Sequence, residues 1–100
     1  MDAKLASKKD LSEGKMVGVE SGGEKILLAN VGGSFYAIGN VCTHRGCSLS
    51  EGIFKGDQVE CPCHGSIFDV KTGAVIRGPA SKPEKSFKVS SDGDALMITV

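Results

Sequence analysis

Tryptophan is absent from this 100-residue chain, tyrosine occurs once and phenylalanine four times. So few rings leave little to stack on nucleic-acid bases. A formal net charge of zero, twelve Lys plus Arg against twelve Asp plus Glu, supplies no basic face for phosphates either. Nucleic acid is therefore not an expected partner. Long apolar runs are missing too: nothing approaches the roughly 18 residues of a membrane-spanning helix, and the opening MDAKLASKKDLSEGK lacks the apolar stretch of a secretory signal. The expectation is a soluble, cytoplasmic protein with no membrane anchor. Amides are scarce, with two Asn and one Gln, which agrees with a heat-adapted source where intracellular disulfides are tolerated. Length is short as well. A chain of this size forms one domain, buries only roughly 60 to 65% of its unfolded surface, and calls for a staple. A cleft between domains is not available, which leaves binding modules, small redox carriers and very small enzymes.

What the chain does have is glycine, fourteen in all. These and three prolines punctuate short β-prone runs, and no segment keeps a helical period with caps. The fold class read from this is all-β. Strands are expected over 16–20, 25–31, 34–40, 53–60, 66–70, 73–77, 86–90 and 95–100. Turn signals fall at Gly22-Gly23, Gly32-Gly33, Gly56-Asp57, Lys71-Thr72-Gly73 and Asp92-Gly93. Asp10 to Gly14 reads as a turn or one short helical turn. Leu27, Leu28, Phe35, Ile38, Ile67, Phe68, Val89, Leu96 and Ile98 are the expected core.

The four Cys and two His all fall in two short segments, Cys42 to Cys47 and Cys61 to His64, each placed where a strand stops. The first contains Cys42-x-His44 and the second Cys61-x-x-His64, separated by sixteen residues. Each loop thus offers one sulfur and one nitrogen. That suits a centre with chemically different ends, two thiolates on one and two imidazoles on the other, as in a two-iron cluster. The main competing donor set is a structural Cys2His2 zinc site, although zinc fingers group Cys with Cys and His with His.

The segments Cys42-Thr43-His44-Arg45-Gly46-Cys47 and Cys61-Pro62-Cys63-His64-Gly65-Ser66 resemble the cluster loops of Rieske proteins, whose 2Fe-2S cluster is held by two Cys on one iron and two His on the other. The resemblance extends to Phe68 through Gly73 and to Gly78-Pro79-Ala80, which is similar to that family's proline-containing third loop. It implies an antiparallel β-sandwich with an inserted cluster-binding subdomain over about 41–80, all within one domain, 1–100. It implies one 2Fe-2S cluster, Cys42 and Cys61 on the inner iron and His44 and His64 on the outer.

It further implies a Cys47–Cys63 disulfide, as in the respiratory branch, and a Ser66 hydroxyl that bonds a bridging sulfide. Phe68 stands where a tyrosine is usual, so one hydrogen bond to a ligand sulfur is missing. The function implied is that of a soluble ferredoxin, not an enzyme. As a monomer it would carry single electrons from a reductase to a terminal acceptor such as an oxygenase. Its potential would lie above that of an all-cysteine cluster and fall in alkali as His44 or His64 loses a proton. A structural zinc or interaction module, or a detached subunit of a larger redox complex, are the alternatives. Arg45 departs from the apolar residue usual in the respiratory loops and points to an acidic patch on the partner.

Overall fold

The computed structural model describes residues 2–43, 46–63 and 65–99. Among these, strands assemble into three antiparallel sheets. The first holds β1 (Asp2–Ser7), β11 (Ala95–Thr99) and β10 (Val89–Asp92), in that order. The second runs β2 (Met16–Ser21), β3 (Glu24–Val31), β4 (Ser34–Gly39) and β9 (Ser86–Phe87). The third runs β5 (Ile53–Lys55), β6 (Gln58–Glu60), β7 (Ile67–Asp69) and β8 (Val75–Arg77).

Alternation along β3 explains how the layers stack. Ile26 and Leu28 pack with Ala37, Phe87, Leu96 and Ile98. Leu27 and Ala29 face the other way, onto Ile38, Leu49, Val59, Phe68 and Val70. A strand whose successive side chains serve two cores must be apolar throughout, which is why Ile26-Leu27-Leu28-Ala29 reads as an unbroken run. The second sheet is therefore the middle layer, with one core on each face.

Two departures from the sequence reading have local causes. β1 was not expected; its register against β11 shifts between Lys4 and Ala6, and that irregularity erases the period-2 pattern that would have announced it. The run expected over 86–90 divides, because Ser86–Phe87 pairs with β4 while Val89–Asp92 pairs with β11. The chain changes sheets at Lys88. Among the expected core residues Leu27, Leu28, Ile38, Phe68, Leu96 and Ile98 are fully buried, whereas Phe35, Ile67 and Val89 are half-buried.

The third sheet is built entirely from residues between β4 and β9, which are hydrogen-bonded neighbours. Leaving β4, the chain is pinned by Asn40: its Oδ1 accepts the Ser50 N–H at 2.8 Å and its Nδ2 donates to Ser50 Oγ at 3.0 Å. Asn40 is itself buried, so these bonds replace water and fix the entry to the loop that follows.

Candidate metal centre

The two cysteine-containing loops share one backbone frame. In the first, the Cys42 N–H donates to the Cys47 carbonyl at 2.8 Å and the Gly46 N–H donates back to the Cys42 carbonyl at 2.8 Å. In the second, the Cys61 N–H donates to the Ser66 carbonyl at 2.7 Å and the Gly65 N–H to the Cys61 carbonyl at 3.2 Å. Reversal within six residues needs a left-handed residue at the fifth position, and Gly46 and Gly65 stand there with φ of 76° and 77°.

Cys42 and Cys61 thus occupy the same position in two like loops. Each is only 2% exposed, and both belong to the core under the middle sheet, with Leu49, Val59 and Phe68. The shared backbone frame was not visible in the sequence, because the loops share only the Cys at the first position and the Gly at the fifth.

A disulfide joins Cys47 to Cys63 with their Cα atoms 6.4 Å apart, tying the last position of the first loop to the third of the second. The Sγ atoms of Cys47, Cys61 and Cys63 lie within 4.8 Å of one another. Two of these sulfurs are bonded to each other, so of the three only Cys61 remains as a thiolate donor. Cys42 and Cys61 stay outside the disulfide. His44, Arg45 and His64 lie outside the described residues.

Ser66 is fully buried, and its Oγ accepts the Ala80 N–H at 3.0 Å, which ties the second loop to the Gly78-Pro79-Ala80 segment. That bond uses a lone pair and leaves the hydroxyl as a donor. Phe68, in the same buried cluster as Cys42 and Cys61, has no polar side-chain atom to offer them.

Two residues around the loops, Arg77 and Glu84, carried no signal in the sequence. The Arg77 guanidinium donates to the Gly65 carbonyl through Nη2 at 2.8 Å and Nε at 3.3 Å, and lies 3.8 Å from Glu60. Thr43 donates through its N–H to Glu84 Oε2 at 3.0 Å and through its hydroxyl to the Lys82 carbonyl at 2.6 Å. Glu84 is buried, and desolvation pushes its carboxyl up to about 7 from an ordinary 4.5, the Thr43 N–H working in the opposite direction. Within Ser81-Lys82-Pro83-Glu84-Lys85 it looks like one more surface charge; only the return of that segment beside the first loop buries it.

Two thiols in an apolar bed, carried by loops that also bring His44 and His64 in sequence, fit a cluster of mixed thiolate and imidazole ligation. A Rieske [2Fe-2S] domain profile matches residues 2–88. The chain belongs to the Rieske family. Its cofactor is accordingly a 2Fe-2S cluster, in place of the zinc considered from the donor set. The chain is 41% identical over 95 residues, covering 95% of itself and 89% of the relative, to the ferredoxin component of biphenyl 2,3-dioxygenase from Rhodococcus jostii (strain RHA1). Its fold is similar to the ferredoxin of carbazole 1,9a-dioxygenase from Nocardioides aromaticivorans IC177, with a TM-score of 0.93, 30% identity and coverage of 98% and 96% of the two chains. A ferredoxin solved in complex with the oxygenase of carbazole 1,9a-dioxygenase is also similar, at TM-score 0.92 and 34% identity, covering 97% of this chain and 91% of that one. This Rieske chain is an electron carrier of the ferredoxin type.

Proposed function

We propose that this Rieske ferredoxin takes single electrons from a reductase and hands them to a terminal oxygenase, through a cluster held by Cys42, Cys61, His44 and His64. The carrying observation is the equivalence of Cys42 and Cys61, two buried thiols at the first position of matching loops. When bound, the cluster supplies reversible one-electron chemistry in which no bond to a substrate is made or broken.

The rest is the work of the protein. Leu27, Ile38, Leu49, Val59 and Phe68 exclude water from the cysteine side, and the Cys47–Cys63 disulfide holds the two loops together. Residues 41–80 act as the cluster-binding part, carried on the paired stems β4 and β9. Val41, Thr43, Pro62 and Cys63 are exposed at these loops, so a partner approaches there, on the side away from the apolar bed. Arg45 draws an acidic surface toward His44, so encounter slows as salt rises. The protein works as a monomer with no substrate of its own, in the cytoplasm. Among the described residues no helix is long and apolar enough to cross a membrane.

The test is stopped-flow mixing of the reduced protein with the oxidised terminal oxygenase of a ring-hydroxylating system, and of the oxidised protein with that system's reductase. Rapid oxidation and rapid reduction, both slower at high salt, are the expected results. A reduced protein that the oxygenase cannot oxidise would overturn the assignment.

A further inference from the structure

The Thr43 side chain and backbone are both gripped from one direction. Thr43 is the residue that separates Cys42 from His44, and both its donors go to the segment that leads back to β9: its N–H to the Glu84 carboxylate and its hydroxyl to the Lys82 carbonyl. The clamp is itself well anchored. The Glu84 N–H donates to the Gly73 carbonyl at 2.8 Å, and the Gly39 N–H donates to the Lys85 carbonyl at 2.8 Å. Room for the carboxyl exists because residue 39 has no side chain; a Cβ there would stand 2.6 Å from Glu84 Oε1.

We propose that Glu84 is a positioning residue for the cluster: its carboxylate holds the Cys42-Thr43-His44 segment in place, and its negative charge lowers the reduction potential. This rests on the ligand set proposed above.

A carboxylate is a costly choice for this place. A neutral acceptor could take the Thr43 N–H, whereas a buried acid must also be kept charged with little water around it. The charged groups on the neighbouring elements do not neutralise it. Residues 34–43, which it abuts, contain no Lys, Arg, Asp or Glu, and their titratable side chains are Tyr36 and the proposed ligand Cys42. Lys85 reaches Glu24 and the Phe87 ring, and Lys71 reaches Asp57 and the Tyr36 ring. Asp69 accepts the Lys71 N–H, and the Lys82 side chain lies on an exposed residue. His44 and Arg45 follow Thr43 in the chain.

The consequence is a proton that travels with the electron. One electron from the reductase adds negative charge beside the carboxylate, which then takes one proton from water; reoxidation releases both. In the cluster-free chain burial pushes the Glu84 carboxyl up to about 7, so in the loaded protein its proton uptake is expected in the neutral range, whereas imidazole ligands lose protons in alkali. Below that range the acid is protonated in both redox states and the potential is level; through it the potential falls with pH.

Protein-film voltammetry of the cluster-loaded wild type, Glu84→Gln and Glu84→Ala between pH 5 and 9 tests this. Glu84→Gln keeps the shape and an acceptor for Thr43 but not the charge. Its potential is expected to match wild type at pH 5, to stay level through neutral pH, and to lie above wild type at pH 8. Glu84→Ala loses the acceptor as well, and its cluster should bleach about tenfold faster on dilution with chelator, in line with a lost hydrogen bond to a charged group. If Glu84→Ala fails to fold, Gly39→Ala displaces the carboxyl from Thr43 without removing it and is expected to bleach faster in the same way.

A Glu84→Gln curve superimposed on wild type at every pH, or an alanine variant as stable toward chelator as the glutamine one, would overturn the proposal. In that event the Cys42 and His44 assignment would stand or fall separately, on cluster content and ligand spectroscopy.

Discussion

Replacing Cys47 and Cys63 together by serine opens a ring closed between residues 16 apart in sequence. In the chain-entropy description such a ring withholds conformations from the unfolded chain worth about 3 kcal/mol. For a domain of this size 1 kcal/mol moves the thermal midpoint by roughly 4–8 °C, so the cluster-free double variant should melt roughly 12–24 °C below wild type. Cys47 is half-buried and packs against the core while Cys63 is exposed. The serine at 47 therefore adds a small cost in the same direction, and reductant has access to the bond from the Cys63 side. With the ligand set proposed above, a bound cluster would join the same two loops, so the disulfide would close a ring that is already closed and its loss should cost distinctly less. The assay is far-UV circular dichroism melting of wild type and the double serine variant, each with and without cluster. A cluster-free variant melting within about 3 °C of wild type would mean that the disulfide does not restrict the unfolded chain in this way, since that is less than the shift from 1 kcal/mol.

Gly73 sits at φ 84° where an added Cβ would run into the Glu84 carbonyl. Gly73→Ala is therefore expected to lose about 1–3 kcal/mol in urea unfolding; an unchanged midpoint would mean that this turn does not anchor the 78–85 segment. Glu84 also predicts how the stability of the cluster-free protein depends on pH. Its carboxyl is raised from 4.5 to about 7 in the fold, so between those values the folded protein keeps a proton that the unfolded chain has released. This group's contribution is full at and below about pH 4.5, is lost as pH climbs to about 7, and is level beyond. The loss is of the order of 3 kcal/mol. Glu84→Gln should remove that slope, read from urea midpoints across the range; a wild type whose stability is flat from pH 4 to 8 would contradict it.

Much of this protein was legible in its sequence, for reasons that particular residues make plain. The glycine pairs at 22–23 and 32–33 bound β2, β3 and β4, because hairpin turns of that kind demand positive φ and both glycines of each pair supply it. The four cysteines stood out because thiols crowded into two short segments have few structural explanations, whereas their division into Cys42 and Cys61 as ligands and Cys47 with Cys63 as a disulfide came from the Rieske resemblance. β1 did not, since an irregular register removes the alternation that sequence patterns report. Nor did Glu84 and Arg77. Each acts on a cluster loop through a contact made across 41 and 12 residues of chain, and a charged residue between polar neighbours looks the same whether the tertiary fold buries it, turns it inward or leaves it in water. The matching hydrogen-bond frame of the two loops was hidden for a related reason: it is made by backbone groups, which every sequence has.

The ligand set proposed for the 2Fe-2S cluster of this chain is two cysteines and two histidines. Its most direct test is iron and acid-labile sulfide analysis of the purified protein, with electron paramagnetic resonance of the dithionite-reduced form, its nitrogen couplings resolved by pulsed methods with 15N-histidine labelling. Two irons and two sulfides per chain, a spin coupled to two histidine nitrogens, and loss of the cluster in Cys42→Ala are the expected results. A colourless protein with one zinc per chain, or a reduced cluster with no histidine nitrogen coupling, would contradict it.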